Sequence, residues 1–315
     1  MSILSRYWRY KWVMLPHITL DQKFFEYVLK RFINRISEAS QAYSDIISNI
    51  LLRHIGRIDK FVLFMPSWFP LKADLSQWLQ FVSRHGIKEF ALVNNNHSLS
   101  PKLPSCLYSF ETLTQLTLYN CHDLNLPPTF KGFPHLKFME LEVHNKYLKL
   151  CIKMLGLTIC APELQELVLK GIICSLSLKA TRNIKSIAVD AVLLNVAGLK
   201  SSMRELFGCL LSCQMLVLDK IFWLPWATSC EICSLKKSVQ NKGNFTLPCL
   251  KHVEFVFKAS VELELIKLLL ACSPALEVMT IVLSETLSAE EKLEIAKELM
   301  RYGRASPNAE IILKP

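Results

Sequence analysis

The chain has 315 residues, of which 51% are hydrophobic, and a formal net charge of +10. No apolar run approaches the ~18 residues of a transmembrane helix, and the basic residues form no run of five or more, which disfavours membrane and nucleic-acid binding. The eleven cysteines are an odd number without a regular spacing, so we expect reduced thiols that pack as small hydrophobic side chains, in the cytoplasm or nucleus.

The N-terminal segment alternates bulky and basic side chains. Leu4, Trp8 and Trp12 are spaced four residues apart and would share one face of a helix. Leu15 and Pro16 would end that helix, because the residue before a proline disfavours the helical conformation. Three large apolar side chains on so short a helix need a partner surface, which lies either downstream in the chain or in another protein.

Three helices are predicted next. The first spans residues 22–40, with an apolar stripe on one face and Asp21 as its N-cap. The second runs from Asp45 to His54. The third begins at Asp74 and stops at Gly86, and a strand follows it from Ile87, which together make one complete helix-and-strand repeat unit.

A short apolar spacing, L-x-x-L-x-L, recurs along most of the chain. Its starts are on average roughly 28 residues apart, within the range of leucine-rich repeats. Nine matches in series are hard to explain by chance, so we predict an α/β leucine-rich-repeat solenoid: a curved array of parallel strands with helices and loops on its outer face. The nine triplets are Ile58/Phe61/Leu63, Ile87/Phe90/Leu92, Leu113/Leu116/Leu118, Leu136/Met139/Leu141, Leu164/Leu167/Leu169, Ile184/Ile187/Val189, Cys213/Leu216/Leu218, Leu250/Val253/Phe255 and Leu276/Met279/Ile281.

The later part of the chain departs from the regular repeat. Residues 221–245 interrupt the rhythm, and helices are predicted over 199–211 and 263–272. A capping box at Ser288 and Glu291 opens a further helix, and residues 309–313 are predicted as a terminal strand. A different end unit is expected because a solenoid must cover its exposed core.

Taken together, these segments resemble the plant F-box proteins that combine leucine-rich repeats with a C-terminal FBD domain. The likeness covers essentially the whole chain. Residues 2–12 with Leu15-Pro16 are similar to the last F-box helix and its exit, and residues 83–92 to the first helix-to-strand junction. The family's repeat region is similar to residues 103–107, 113–121 and 130–136 of this chain. Its FBD domain is similar to residues 250–254, 273–280 and 304–307.

The resemblance implies four domains. Residues 1–20 would be the C-terminal remnant of an F-box truncated at its N-terminus, since the two helices that open the family's F-box are absent. Residues 21–57 would form a helical linker and N-terminal cap, residues 58–245 the leucine-rich repeats, and residues 246–315 an FBD-like C-terminal domain.

The implied function is a non-catalytic protein-interaction module, the substrate-recognition subunit of a Skp–cullin–F-box ubiquitin ligase. Its partners would be a Skp-type adaptor, a cullin scaffold and an unknown protein substrate, and Leu4, Trp8 and Trp12 would bind the adaptor. The alternative is a stand-alone repeat scaffold that binds proteins but has lost adaptor docking because the F-box is truncated.

The residues between the core leucines should point outward from the strand array and form the partner-binding face. Neighbouring strands are about 4.8 Å apart, so three strands would give one continuous surface, with Tyr119 and Phe138 as the best anchors because aromatic residues dominate interface energies. The competing interpretation is that these are ordinary solvated strand positions. The predicted face comprises Gln115, Thr117, Tyr119, Phe138, Glu140, Glu142, Glu166, Val168 and Lys170.

Enzyme signatures are absent from the sequence: there is no phosphate-binding glycine loop, no H-E-x-x-H and no G-x-S-x-G. We therefore expect no catalysis and no cofactor. One spacing is close to a zinc ribbon, Cys230-x-x-Cys233 followed by Cys249-x-x-His252. We favour idle or buried thiols over a metal site, because His252 should point to solvent and Cys249 toward the core boundary.

Overall fold

The computed structural model describes residues 11–32, 35–67, 74–95, 103–121, 130–143, 157–173, 176–179, 181–193, 208–222, 246–257 and 261–314. The chain divides into two compact units, Met1–Leu155 with Cys160–Pro162, and Gly156–Ile159 with Glu163–Pro315. Each is an α/β array of parallel strands, as expected for a leucine-rich-repeat solenoid. Among the described residues, no helix is both long and apolar enough to cross a membrane.

In the first unit, five parallel strands pair in chain order, β1 to β5, and helices and turns connect them. Two short 3-10 helices, Lys11–Met14 and Ser105–Ser109, precede β1 and β4 respectively. The strands are β1 His17–Leu20, β2 Lys60–Met65, β3 Glu89–Asn94, β4 Gln115–Tyr119 and β5 Phe138–Val143, and the helices are α1 Gln22–Leu29, α2 Ile36–Arg53 and α3 Asp74–Ser83.

The second unit contains a six-stranded parallel array in the order β7, β9, β10, β11, β12, β13, and β6 pairs with β8 outside it. Its strands are β6 Leu157–Cys160, β7 Glu166–Ile173, β8 Leu176–Lys179, β9 Ser186–Leu193, β10 Met215–Phe222, β11 His252–Phe257, β12 Val278–Leu283 and β13 Glu310–Lys314. The last residue of β6, Cys160, is assigned to the first unit. Its helices are α4 Val261–Cys272 and α5 Ala289–Met300.

The core of both units is built from the repeated apolar triplets. Every residue of the nine triplets is buried, with at most 5% of its surface exposed. Equivalent positions lie in register: Phe90 on β3 is opposite Leu116 on β4, and Leu116 is opposite Met139 on β5. The predicted repeats are therefore confirmed, and each one buries its apolar face against its neighbours.

Shared carbonyl groups fix the register at the start of the strands. The Asp59 carbonyl accepts the N–H groups of Lys88 and Glu89 at 2.9 and 2.8 Å, and the Lys88 carbonyl accepts those of Thr114 and Gln115 at 2.8 and 3.0 Å. The same two-to-one bonding recurs in the second unit at the carbonyls of Gln165, Lys185, Gln214 and Lys251. Each strand that follows one of these carbonyl groups is thus tied to its predecessor before the sheet ladder begins.

The predicted helix over residues 22–40 is wrong in extent. Helix α1 ends at Leu29, and turn bonds of the i to i−3 type follow, including Phe32 N–H to Leu29 O at 2.9 Å. Helix α2 begins at Ile36, well before the predicted start at Asp45. The buried stripe of α2 consists of Ala39, Tyr43, Ile47 and Leu51. Because the stripe begins with a small residue, the hydrophobic pattern gives only a weak indication of where the helix starts.

Other predicted elements are confirmed. Helix α3 starts at Asp74, the side chains of Leu75, Trp78, Leu79 and Val82 are buried, and Gly86 follows with a φ of +69°. The Ser288–Glu291 capping box is present, with both of its hydrogen bonds formed. The terminal strand occurs as β13, one residue later than predicted.

Tyr43 joins helix α2 to the first two strands. Its side chain is 1% exposed, its hydroxyl donates to the Phe64 carbonyl at 2.9 Å and contacts that of Leu20 at 3.4 Å, and its ring packs edge-on against Phe25. Burial, and secondarily the charge of Asp21, raises the pKa of this phenol, so the hydroxyl remains protonated and able to donate.

Tyr43→Phe is expected to lower the free energy of unfolding by about 1–2 kcal/mol, because it removes a buried donor while keeping the ring. The measurement is urea denaturation followed by circular dichroism. Tyr27→Phe is the matched control: Tyr27 is 56% exposed, and a change within about 0.5 kcal/mol is expected there. Equal effects of the two substitutions would contradict the anchoring role of Tyr43.

Candidate functional site

The strand face of the first unit contains six of the nine residues predicted to bind a partner. On β4 and β5, Gln115 lies opposite Phe138, Thr117 opposite Glu140, and Tyr119 opposite Glu142. All six are exposed or half-buried, whereas the intervening Leu116 and Leu118 are 1% exposed. These six side chains therefore point outward from the strands, as predicted.

The two aromatic residues of this face lie apart. Phe138 is opposite Gln115 at the start of the strand pair, whereas Tyr119 is four positions further along, opposite Glu142. At about 3.3 Å per residue, the two rings are roughly 13 Å apart along the strands. A partner that used both as anchors would contact them with two different parts of its own surface.

Strands β2 and β3 extend the same face. Lys60 and Glu89 are opposite each other and form an ion pair at 2.9 Å. Beyond this pair, Ala91 is in register with Thr117, and Val93 with Tyr119. The face therefore has a small-residue and aliphatic side on β3 and an acidic side on β5, a combination that suits a partner with apolar and basic side chains.

The remaining three predicted residues lie on the second unit. Glu166, Val168 and Lys170 on β7 are exposed or half-buried. Their partners in register are Ser186, Ala188 and Asp190 on β9, which are not among the nine predicted residues. The signal was available, because these three flank the core residues Ile187 and Val189 in the same alternating pattern.

Of the residues predicted to bind an adaptor, Leu4 and Trp8 lie outside the described residues. Trp12 is half-buried in the 3-10 helix Lys11–Met14. The carbonyl of the next residue, Val13, accepts the N–H of Ile55 at 2.7 Å, which brings the N-terminal segment against the end of α2.

This junction carries a patch of exposed apolar side chains that was not predicted from the sequence. Met14, Leu15, Leu52 and Ile55 are between 54% and 77% exposed. Leu52 lies in the last turn of α2 and Ile55 lies two residues beyond its end, where the Val13–Ile55 hydrogen bond holds Met14 and Leu15 nearby. We refer to these four residues as the N-terminal patch; apolar surface of this kind is typical of a protein-interaction site.

An open cavity of about 500 Å³ lies among the connections that precede β4 and β5. Tyr108 and Phe130 form its aromatic wall, with ring centroids 5.0 Å apart, and Glu111, Lys131 and His135 supply charge. Its lining comes from the 3-10 helix Ser105–Ser109, from Glu111 and from residues 130–135, so it is separate from the strand face.

Four of the seven cysteines that the structure describes are buried, as the sequence predicts: Cys121, Cys209, Cys213 and Cys272. Burial raises the pKa of Cys121 to about 12 and that of Cys213 to about 11, so both remain protonated near neutral pH. Cys249 is an exception: it is exposed, and the expectation that it lies toward the core boundary is wrong. It sits in the turn just before Leu250, which takes the core position.

His252 is exposed, as predicted, and its Nε2 atom lies 3.8 Å from Oε2 of Glu277. Cys230 and Cys233, the other two members of the possible zinc ligand set, lie outside the described residues. Within the part of the chain that the structure describes, no three histidine, cysteine or acidic side chains are grouped so as to hold a metal ion.

Comparison with known proteins finds similarity to plant F-box proteins that contain leucine-rich repeats. Residues 75–205 match the family model for the leucine-rich repeats of FBD-associated F-box protein At5g56370. The chain is 26% identical to the F-box/FBD/LRR-repeat protein At1g13570 of Arabidopsis thaliana, over 99% of this chain and 92% of that protein. It is 29% identical to the putative FBD-associated F-box protein At5g56690 of the same plant, over 45% of this chain and 34% of that protein.

No solved structure matches the chain. The repeat match includes five of the nine buried triplets, and the similarity to the first of these relatives extends over nearly the whole chain. The chain is therefore similar, over nearly its whole length, to a plant F-box/FBD/LRR-repeat protein.

Proposed function

We propose that this protein is the substrate-recognition subunit of a Skp–cullin–F-box ubiquitin ligase and acts in the cytoplasm or nucleus. It is itself non-catalytic: it holds an adaptor at one surface and a substrate at another, and ubiquitin transfer is carried out by other subunits. The observation that carries the proposal is the strand face of β2 to β5, where outward side chains alternate with a fully buried core on a parallel sheet.

The proposed division of labour follows the predicted domains. Residues 1–20 contribute adaptor contacts through Leu4, Trp8 and Trp12, and residues 21–57 connect them to the repeats. Residues 58–245 present the substrate-binding face, and residues 246–315 form the FBD-like end. The N-terminal patch supports this arrangement, because it places unpartnered apolar side chains beside Trp12.

A sheet face suits recognition because the backbone hydrogen bonds of the sheet already fix the positions from which its side chains project. Little conformational freedom is lost when a partner binds, so affinity depends on a few side chains rather than on ordering of the backbone. Thr117, Tyr119 and Glu140 lie on two neighbouring strands, so substitutions at these positions change specificity without changing the fold.

The experiment is a binding titration of the full chain with a Skp-type adaptor. We expect a one-to-one complex at micromolar concentration. Trp12→Ala combined with Leu52→Asp should weaken it about tenfold or more, because a large apolar anchor is lost and a charge is placed in the patch. Phe138→Ala, a change on the strand face, is the control and should leave adaptor affinity unchanged.

The alternative function is a stand-alone repeat scaffold that binds proteins without docking on the ligase. It is favoured if the folded chain does not bind the adaptor at micromolar concentration, while strand-face substitutions still abolish binding of another protein. That pair of results would contradict the ligase role and leave the binding face intact.

A further inference from the structure

The last strand of the second unit, β13, has an open edge. It pairs with β12 in parallel, and no strand lies on its other side among the described residues. The Glu310 N–H bonds to the Glu277 carbonyl at 2.9 Å, so residues 310, 312 and 314 direct their backbone groups toward β12. The N–H and C=O groups of Ile311 and Leu313 therefore point outward from the sheet.

The core side of β13 is also incompletely covered. Ile311 is in register with Met279, and Leu313 with Ile281. Met279 and Ile281 are fully buried, whereas Ile311 is half-buried and Leu313 is 37% exposed. The apolar row that runs through the unit thus ends at an uncovered edge, a feature that proteins normally cap or pair.

The sequence of β13, EIILK, is complementary to itself when two copies run antiparallel about Ile312. Glu310 then faces Lys314 of the second copy, Ile311 faces Leu313, and Ile312 faces itself. Opposite charges and paired aliphatic residues are the favourable cross-strand combinations. The outward backbone groups match as well, because Ile311 and Leu313 then form a hydrogen-bonded pair on each side of the two-fold axis.

Other registers lack this complementarity. A shift by one pairing position places Glu310 opposite Ile312 or Ile312 opposite Lys314, and a parallel in-register pair places Glu310 opposite Glu310. Edge strands often carry charges that discourage pairing. Here the two charges are opposite in sign and equidistant from Ile312, so they favour one specific antiparallel partner.

We propose that the occupant of this edge is a second copy of the same chain, and that the protein forms a two-fold symmetric dimer through antiparallel pairing of β13 with β13. Such a contact is isologous and closes on itself, so it gives a dimer rather than a fibre. Two linked copies would present two strand faces, which increases the avidity for a partner with repeated binding segments.

Sedimentation equilibrium of the full chain tests the dimer. The average mass should rise from 36.1 kDa toward twice that value as the concentration increases. Glu310→Lys places lysine opposite lysine at both sites, Lys314→Glu places glutamate opposite glutamate, and each should weaken dimerisation about tenfold. The double variant restores the charge pairs and should dimerise like the wild type.

Mixing the two single variants provides the decisive arm, because each complements the other and a heterodimer should form where neither homodimer does. Both side chains are exposed, so folding is preserved. Glu285→Lys, another exposed charge of the second unit, is the control and should have no effect.

A wild-type chain that remains monomeric at ~200 µM, where even a weak interface would be populated, would overturn the proposal. So would a dimer that ignores the charge exchange but is abolished by Met300→Asp. Met300 is 78% exposed on α5, and that result would place the contact on the helix instead of the strand edge.

Discussion

Leu118→Ala is expected to lower the free energy of unfolding by about 3–5 kcal/mol, because it opens a cavity in a fully packed core. Leu118 is 1% exposed and lies in register between Leu92 on β3 and Leu141 on β5. The cavity would therefore affect the contacts of three consecutive strands.

Thr117→Ala, one residue earlier on the same strand, is the matched control. Thr117 points outward and is half-exposed, so a change within about 0.5–1 kcal/mol is expected. Urea denaturation of both variants measures the contrast. Similar losses for the two would mean that β4 does not alternate between a core side and a binding side.

Gly132→Ala is expected to destabilise the first unit by more than about 3 kcal/mol. Gly132 has a φ of +106°, a conformation that costs an L-residue about 1–2 kcal/mol. An added Cβ would also collide with the carbonyl of Cys160. That carbonyl accepts the Phe133 N–H at 2.9 Å. Displacing the carbonyl would break this hydrogen bond, and leaving a buried partner without its hydrogen bond costs about 1–3 kcal/mol.

Gly208 provides the control for this substitution. It does not have a strained positive φ, and no heavy atom lies within 4 Å of an added Cβ. Gly208→Ala should be neutral or slightly stabilising, since alanine restricts the unfolded chain. If the Gly132→Ala variant unfolds at the same urea concentration as the Gly208→Ala variant, that result would contradict the close packing of Gly132 against the Cys160 carbonyl.

The repeated part of the fold could be predicted from the sequence because each triplet combines a fixed spacing with complete burial. Residues such as Phe61, Leu116 and Ile281 are fully buried. Their positions require apolar side chains, and this requirement appears in the sequence as a regular hydrophobic pattern. The spacing also predicted the outward direction of Gln115, Thr117 and Tyr119, because side chains alternate along a strand.

The N-terminal region was harder to predict because its structure depends on contacts distant in sequence. Strand β1 has only four residues and becomes a strand by pairing with β2. Helix α2 was shortened in the prediction because Ala39, Ser40 and Ser44 interrupt its hydrophobic pattern, although all three are buried. The break after Leu29 is made by turn hydrogen bonds and has no proline or glycine to mark it.

The outward direction of the side chains on the strand face could be predicted from the sequence, but the arrangement of those side chains could not. Spacing gave the six residues on β4 and β5, yet it could not show that Tyr119 and Phe138 are four register positions apart. It also could not reveal the N-terminal patch, because Leu52 and Ile55 are unremarkable apolar residues until the Val13–Ile55 hydrogen bond brings them beside Met14. Register and long-range hydrogen bonds are properties of the folded chain.

We propose that the strand face selects a protein substrate while the N-terminal region holds the adaptor. Quantitative mass spectrometry of proteins captured by the wild-type chain and by a Thr117→Glu/Tyr119→Ser/Phe138→Ser variant tests it most directly. With folding and adaptor binding unchanged in the variant, we predict that a defined set of captured proteins is lost by at least about tenfold, since central anchors carry most of the binding energy. An unchanged set of captured proteins would contradict recognition by this face.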